Sequence, residues 1–273
     1  MNHFFDTVEF KSVGKGVKIH PTAVVAKGAE FGEDVVVGPF AVIGPKVKIS
    51  DRAEIGAYCA IEGRTFVGAE TKVFSHATLG TPPQDLKYKG EDSRLEIGSQ
   101  NAIREYANIS IGTEGGGGVT RIGNGNLIMA YTHVAHDCMI KDHCIFANGV
   151  QIAGHVEIGD HVVFGGMSGG HQFCRFGEGA MVGAGAIVVQ DVPPYCMVQG
   201  DRASINGLNM VGLRRSGIKA QNLKDIKDIF KALYRENLTI EDALLKIKEQ
   251  VADSPYKSKF LEFLGTSKRG ICR

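Results

Sequence analysis

Residues 132–137 read THVAHD, which sets His133 and His136 three positions apart and places Asp137 directly after the second. Two further histidines, His155 and His171, follow downstream. Imidazoles so spaced serve one of two chemistries. They can ligate zinc, which takes about three N, S or O ligands at ~2.0–2.3 Å and keeps one position open in a catalytic site. Alternatively, one of them acts as a general base. An unperturbed pKa of ~6.5 suits removal of a proton from a hydroxyl near neutral pH, and an adjacent carboxylate can orient the ring. Which chemistry is available depends on which side chains meet in space, and the surrounding repeat decides that.

The repeat is six residues long. From Val17 the chain divides into VKIHPT, AVVAKG, AEFGED, VVVGPF and onward to ATLGTP. It resumes at LEIGSQ after PPQDLKYKGEDSR and, after TEGGGGV, runs unbroken from Thr120 to Asp191. Of its 26 third positions, 25 are apolar, Gly170 being the exception, where the 43% apolar content of the chain would give about eleven by chance. This period is neither the 3.6 of a helix nor simple alternation. Positions 1 and 3 of each unit share a face, as in a short strand, and the frequent glycine at position 4 is expected to turn the chain. Three units then close one triangular coil of 18 residues with the third positions stacked inside. Nine coils at ~4.8 Å give a prism on the order of 43 Å long. The pattern resembles the hexapeptide β-helix of a large group of acyltransferases. Its left hand comes from that resemblance alone, because it opposes the usual right-handed crossover.

In this register His133 is second and His136 fifth in its unit, so both should face outward. One coil beyond His136 is Gly154, followed by His155, and His171 lies one residue short of two coils. His136, His155 and His171 are therefore expected to form a column near one corner. Cys59, Cys138, Cys144 and Cys174 fall at first positions, where Ala, Val and Thr stand elsewhere, and read as small core residues. Cys196 and Cys272 lie outside the repeat and receive no role.

Downstream of Asp191 a helical period replaces the repeat. Ile226, Ile229, Phe230, Leu233 and Tyr234 follow helical spacing. Thr239 reads as the cap of a second helix, and Ser254-Pro255 separates it from a short third. The expected organisation is mainly β: an N-terminal extension over 1–16, a left-handed parallel β-helix over 17–200 with excursions near 82–94 and 113–119, and a small α-helical domain over 201–273. With 31 basic and 30 acidic residues, the chain carries no global signature for nucleic acid. From Leu213 onward, however, there are 14 basic and 8 acidic residues, a net of +6 that suits an acidic partner. The N-terminus lacks a signal-peptide pattern, and no apolar run reaches the ~18–20 residues needed to span a bilayer. Six cysteines without paired CxxC spacing fit a reducing compartment. A cytoplasmic protein is expected.

The stretches PPQDLKYKGEDSRLEIG, LIMAYTH, HVAHDC, IAGHVEIG, GGMSGGHQFC, QDVPPY and SKRGICR together carry a closer resemblance. From about residue 17 to its end, the chain resembles the bacterial UDP-N-acetylglucosamine 3-O-acyltransferases. These enzymes use acyl carrier protein in the first step of lipid A synthesis. The resemblance implies His136 as the base that deprotonates the sugar 3-hydroxyl, Asp137 as its orienting carboxylate and the backbone N–H of Gly154 as the oxyanion donor. It implies Gln84, Asp85 and Lys87 on the first excursion, and His133, His155, His171 and Gln172, as contacts to sugar, phosphates and acyl chain. Asn209 and Arg215 match nucleotide-contacting positions, and Ala184, Met181 and Arg202 match those that measure the acyl chain. It further implies a homotrimer with grooves between neighbouring prisms, a 3-hydroxyacyl thioester of acyl carrier protein as donor, and neither cofactor nor metal. The chain departs from the pattern at Val211, usually acidic, at Ser216, usually the second of two arginines, and at Arg202, where the family carries histidine. Some members acylate a 3-amino sugar, so that acceptor stays open. A hexapeptide acyltransferase with another acceptor, a zinc lyase resembling the γ-type carbonic anhydrases and a non-catalytic scaffold are the competing readings.

Overall fold

The computed structural model describes residues 11–12 and 14–273. Most of the expected 1–16 extension lies outside the described residues, apart from Lys11–Ser12, which pairs antiparallel with Lys18–Ile19. From there the chain winds into a left-handed parallel β-helix. Its faces are sheets of twelve, eight and nine strands. Partners in a sheet are one coil apart, as His133–Val134 is with Gln151–Ile152. Third-position side chains fill the interior: Ile43, Ile55, Ile61, Val134, Ile152 and Phe164 are almost wholly buried. Each such side chain contributes roughly 1.5–3 kcal/mol relative to exposure. The gap at Gly170 is filled by Phe176, two of whose ring carbons would lie 3.1 Å from a Cβ placed there.

The corners differ from the sequence expectation. The left-handed backbone falls at position 6, with φ of 57° at Phe40, 58° at Tyr58, 60° at Asp137 and 60° at His155. Glycine at position 4 serves a different need, the close approach of the next coil. A Cβ on Gly56 would meet the Ser75 nitrogen at 2.8 Å, and one on Gly165 the Ala184 nitrogen at 2.5 Å. At one corner the sixth-position rings of Phe40, Tyr58, His76, Tyr106 and Tyr131 stack at 4.9–5.0 Å into a half-exposed ladder.

Two loops interrupt the winding. Residues 82–93 separate Thr78–Thr81 from Arg94–Ile97, and residues 111–118 separate Asn108–Ser110 from Val119–Ile122. They leave the stack in register, so Thr78 still pairs with Asn108, and Asn108 with His133. All six cysteines are buried and free. Burial pushes the Cys59 thiol up to about 11 and those of Cys138 and Cys144 up to about 12, so none is poised as a nucleophile.

After the last coil an antiparallel pair, Cys196–Gln199 with Ser204–Leu208, leads into four helices. The boundary drawn at residue 200 thus falls inside this hairpin. Helix α1 spans Met210–Arg215, α2 Ala220–Tyr234, α3 Ile240–Gln250 and α4 Pro255–Gly265. Thr239 caps α3 by accepting from the Asp242 N–H, and Ser254 caps α4 ahead of Pro255. Short α1 gave no sequence signal, since it buries only Leu213 and rests on its Asn209 cap.

Candidate active site

The THVAHD unit folds as its register requires. Val134 points into the core, His133 stands outward on the nine-stranded sheet, and residues 135–137 form the corner. Asp137 takes the left-handed turn at the sixth position, and the second excursion covers its carboxylate, so the side chain is wholly buried. Its oxygens are well satisfied. Oδ1 accepts the Thr113 N–H at 2.8 Å, and Oδ2 accepts the Thr113 hydroxyl at 2.6 Å. Oδ2 also meets His136 Nδ1 at 2.7 Å. Burying a carboxylate is costly without such partners. Because Asp137 can only accept, Nδ1 of His136 carries the proton and Nε2 presents its lone pair.

That lone pair faces a groove of about 440 Å³ lined by Gln84, His133, His136, Gln151, Gly154, Gly169, Gly170, His171 and Ile187. Three glycines open its floor. Gly154 is also required sterically, because a Cβ there would lie 2.7 Å from His136 Cε1. Its N–H finds no partner among the described residues. Most fifth-position N–H groups share that state, but this one borders the groove beside the imidazole. Asp85 on the first excursion brings Oδ2 to 4.0 Å from His136 Nε2, too far for a hydrogen bond.

The expected column is only partly realised. His155 meets His136 edge-on at 5.1 Å, stacks on Phe173 at 4.4 Å and sets Nε2 3.8 Å from Asp137 Oδ2. His171 occupies a fourth position, at the start of its corner, and lines the groove instead of continuing the column. Burial holds His155 and His133 below the usual imidazole range, so both are neutral at neutral pH. His133 Nδ1 lies 2.7 Å from Asn108 Oδ1, and the Asn108 amide donates to Thr78 and Thr81. These bonds fix the amide orientation and put the His133 proton on Nδ1. Sequence reasoning missed Asn108, Thr113, Gln151 and Ile187. Register alone could have found Gln151 and Asn108, which flank His133 in its sheet.

Among the described residues, His136, Asp137 and His155 are the one group spaced to hold a metal. The donor set fits zinc poorly. Tetrahedral ligands at ~2.0–2.1 Å from the ion stay more than ~3 Å apart, whereas His136 Nδ1 and Asp137 Oδ2 are at hydrogen-bonding distance and Thr113 already occupies both carboxylate oxygens. A larger hollow of about 750 Å³ lies between the eight-stranded sheet and α4. There Arg175 pairs with Glu157 and stacks on Phe263, and Lys259 pairs with Glu178, as at a seam between domains.

Residues 191–272 match a family model described as UDP N-acetylglucosamine O-acyltransferase, domain 2, and residues 120–154 match the bacterial transferase hexapeptide model. An acyl-(acyl-carrier-protein)–UDP-N-acetylglucosamine O-acyltransferase of Thiobacillus denitrificans is 50% identical over 255 residues, 93% of this chain and 99% of the relative. The chain belongs to this acyltransferase family. A family relative from Helicobacter pylori is 46% identical over 74% of each chain. The UDP-N-acetylglucosamine O-acyltransferase structure of Moraxella catarrhalis superposes with a TM-score of 0.91 at 39% identity, covering 93% of this chain and 99% of that one. The UDP-N-acetylglucosamine acyltransferase of Arabidopsis gives 0.81 at 35% identity over 93% and 100%.

Several residues matched to family positions lie away from the groove of their own chain. Asn209 is buried as the cap of α1, accepting from the Gly212 N–H and donating to the Gly179 carbonyl, while Arg215 is exposed in the last turn of α1. Ala184 sits at the corner before Ile187, Met181 on the twelve-stranded sheet and Arg202 in the hairpin turn. In this acyltransferase Ile187, not Ala184, borders the groove within one chain. Lys87 and Gln172 are exposed beside it, the Lys87 N–H held by Asp85 Oδ1 at 2.9 Å.

Proposed function

We propose that the chain transfers a 3-hydroxyacyl group from acyl carrier protein to the 3-position of UDP-N-acetylglucosamine, or of its 3-amino analogue, in the first step of lipid A synthesis. The single observation that carries this reading is the His136–Asp137 pair, with Nε2 open to the groove next to the unpartnered Gly154 N–H. Nε2 takes the proton of the sugar 3-hydroxyl as its oxygen attacks the thioester carbonyl. The carbonyl becomes a tetrahedral oxyanion that accepts from the Gly154 N–H. Collapse reforms the carbonyl and breaks the carbon–sulfur bond, and the imidazolium returns its proton to the departing thiolate. With Asp85 beyond hydrogen-bond range, Nε2 is left to meet the acceptor hydroxyl from the groove. The groove floor of Ala, Ile and Gly residues suits the acyl chain. The test is thiol release from a 3-hydroxyacyl carrier protein on addition of UDP-N-acetylglucosamine, with and without a chelator. Release in both arms is expected. Loss on chelation that zinc restores would contradict metal-free acid–base chemistry, and no release in either arm would favour the lyase or scaffold reading.

The assembly we propose is a homotrimer. The half-exposed ring ladder with Met167, Val24 and Val42 forms an apolar surface that suits burial against other copies. Arg215, Ala184 and Arg202, which do not line their own groove, fit contributions to a neighbour's, whereas Asn209 is held within its own chain as the α1 cap. A cytoplasmic location is proposed from the six free thiols. No helix among the described residues is long and apolar enough to cross a membrane.

Docking of acyl carrier protein is proposed on the helical domain, whose α2 exposes Lys224, Lys227 and Lys231. Exposed charges are screened over ~8–10 Å at 0.1–0.15 M salt, so KM for the carrier protein should rise with salt at saturating UDP-sugar. A flat response would count against charge-led docking.

Chain-length choice offers another expected result. Each buried methylene is worth ~0.8 kcal/mol and overfilling costs roughly 1–3 kcal/mol. If Ala184 closes an intersubunit groove, Ala184→Gly moves the preferred acyl chain longer and Ala184→Met moves it shorter. If Ile187 closes it, Ile187→Ala lengthens the preference and the Ala184 variants leave it in place. Competition among carrier proteins of graded chain length reads out which residue sets the limit.

A further inference from the structure

The second excursion does more than bridge two strands. It folds back onto the Asp137 carboxylate, and its first residue, Thr113, donates to both carboxylate oxygens, with its N–H at 2.8 Å and its hydroxyl at 2.6 Å. The 3-10 turn Glu114–Gly116 closes behind it, with the Gly118 N–H bonded to the Thr113 carbonyl at 2.7 Å. The loop lies so close that a Cβ on Gly116 would fall 2.0 Å from Asp137 Cγ, so the glycine run is what lets it seat. On the other side, the Asp137 N–H donates to Thr120 Oγ at 2.8 Å. An aspartate carboxyl rotates in a broad, two-fold well about its last torsion. A single bond to an imidazole would leave its plane free, whereas a donor on each oxygen sets that plane and aims Oδ2 at His136 Nδ1.

We propose that Thr113 is a positioning residue for acyl transfer, acting through Asp137 to hold the imidazole of His136 in one tautomer and one orientation. This rests on the acyltransferase reading given above. The loop also ties the two excursions together, because Glu91 on the first accepts the Glu114 N–H at 3.5 Å. The excursion bearing Asp85 and the clamp on Asp137 are therefore linked.

The test compares Thr113→Val and Thr113→Ser with wild type, reading kcat, KM for UDP-N-acetylglucosamine and the pH dependence of kcat/KM. Valine keeps the shape and the backbone N–H and removes only the hydroxyl. Losing a hydrogen bond to a charged group typically costs about tenfold to a hundredfold, expected here in kcat with KM nearly unchanged. The sign of the pH effect follows from charge. With one donor gone, the carboxylate offers more negative charge to the Nδ1 proton, and the imidazolium is stabilised. The acid limb of kcat/KM therefore moves to higher pH in Thr113→Val. The charged or titratable groups around His136 are Asp85 and Lys87 from the first excursion, with His133, Asp137, His155 and His171 of the same groove, and all are untouched by the substitution. Serine restores the donor and should return both kcat and the limb to near wild type. A purely structural role would lower the melting temperature without moving the limb. Wild-type kcat with an unmoved limb in Thr113→Val would overturn the inference, as would a serine variant as impaired as the valine one. Absence of turnover in the wild type with both UDP-N-acetylglucosamine and its 3-amino analogue would remove the acyltransferase reading itself, a failure distinguishable from the other two.

Discussion

Replacing His136 with alanine should lower kcat by about 10²–10⁴-fold, the range typical for loss of a general base, without unfolding the prism. The structural half of that expectation follows from register. His136 is a fifth-position corner residue, and no core side chain rests on it. Its removal costs the solenoid a bond to Asp137, which keeps both Thr113 donors. The chemical half follows from geometry. Within the groove, His136 is the imidazole whose outward nitrogen has a buried carboxylate behind the ring. His133 hands its Nδ1 to Asn108, and His155 lies behind the groove against Phe173, so neither is placed to substitute. Steady-state kinetics beside a thermal melt would decide. Near-normal turnover in a folded variant would sink the assignment.

Gly154→Ala should cost about 10²-fold in kcat, the scale expected when a catalytic group is displaced by around 1 Å. The new Cβ would stand 2.7 Å from Cε1 and 2.8 Å from Nε2 of His136. The ring cannot retreat freely, because Nδ1 is bonded to a carboxylate that is itself held by Thr113. Gly154 does not have the left-handed backbone, so alanine brings no strain of its own, and the N–H is retained. The loss therefore reports the position of the imidazole and not the removal of the oxyanion donor. KM for the UDP-sugar should change much less than kcat. A variant as fast as wild type would mean that the ring has room not visible here.

The solenoid was legible because its signal is redundant: one apolar residue every six, repeated through the chain, leaves a single way to bury them all. The outward placement of His133 and His136 followed from the same count, as did the meeting of His136 with His155 one coil on. The rest depended on what the count cannot hold. Thr113 lies in an excursion, and its approach to Asp137 depends on how the TEGGGGV segment folds back. Nothing periodic encodes that, although the glycines mark it as a close approach. The corner chemistry misled in a specific way. Glycine is commonest at position 4, but the left-handed residue is at position 6, where Asp137 and His155 stand without it. Position 4 is constrained by the neighbouring coil, a contact one full coil away in sequence. At that left-handed turn the second excursion covers the Asp137 carboxylate while His136 stays on the groove. The sites on Asn209, Arg215, Ala184 and Arg202 came from resemblance, and one chain does not bring them to the groove. Under the proposed trimer a neighbouring copy would supply their contacts, which a single sequence does not specify.

The most direct test of the central claim is the mass of the nucleotide sugar after wild-type protein is incubated with UDP-N-acetylglucosamine and 3-hydroxyacyl carrier protein. A UDP-sugar heavier by one 3-hydroxyacyl group less the hydrogen it replaces, absent when His136→Ala protein is used at equal concentration, is the expected result. An unmodified UDP-sugar alongside intact thioester in the wild-type reaction, with both UDP-N-acetylglucosamine and its 3-amino analogue and across carrier proteins of graded chain length, would contradict the assignment of this groove to acyl transfer.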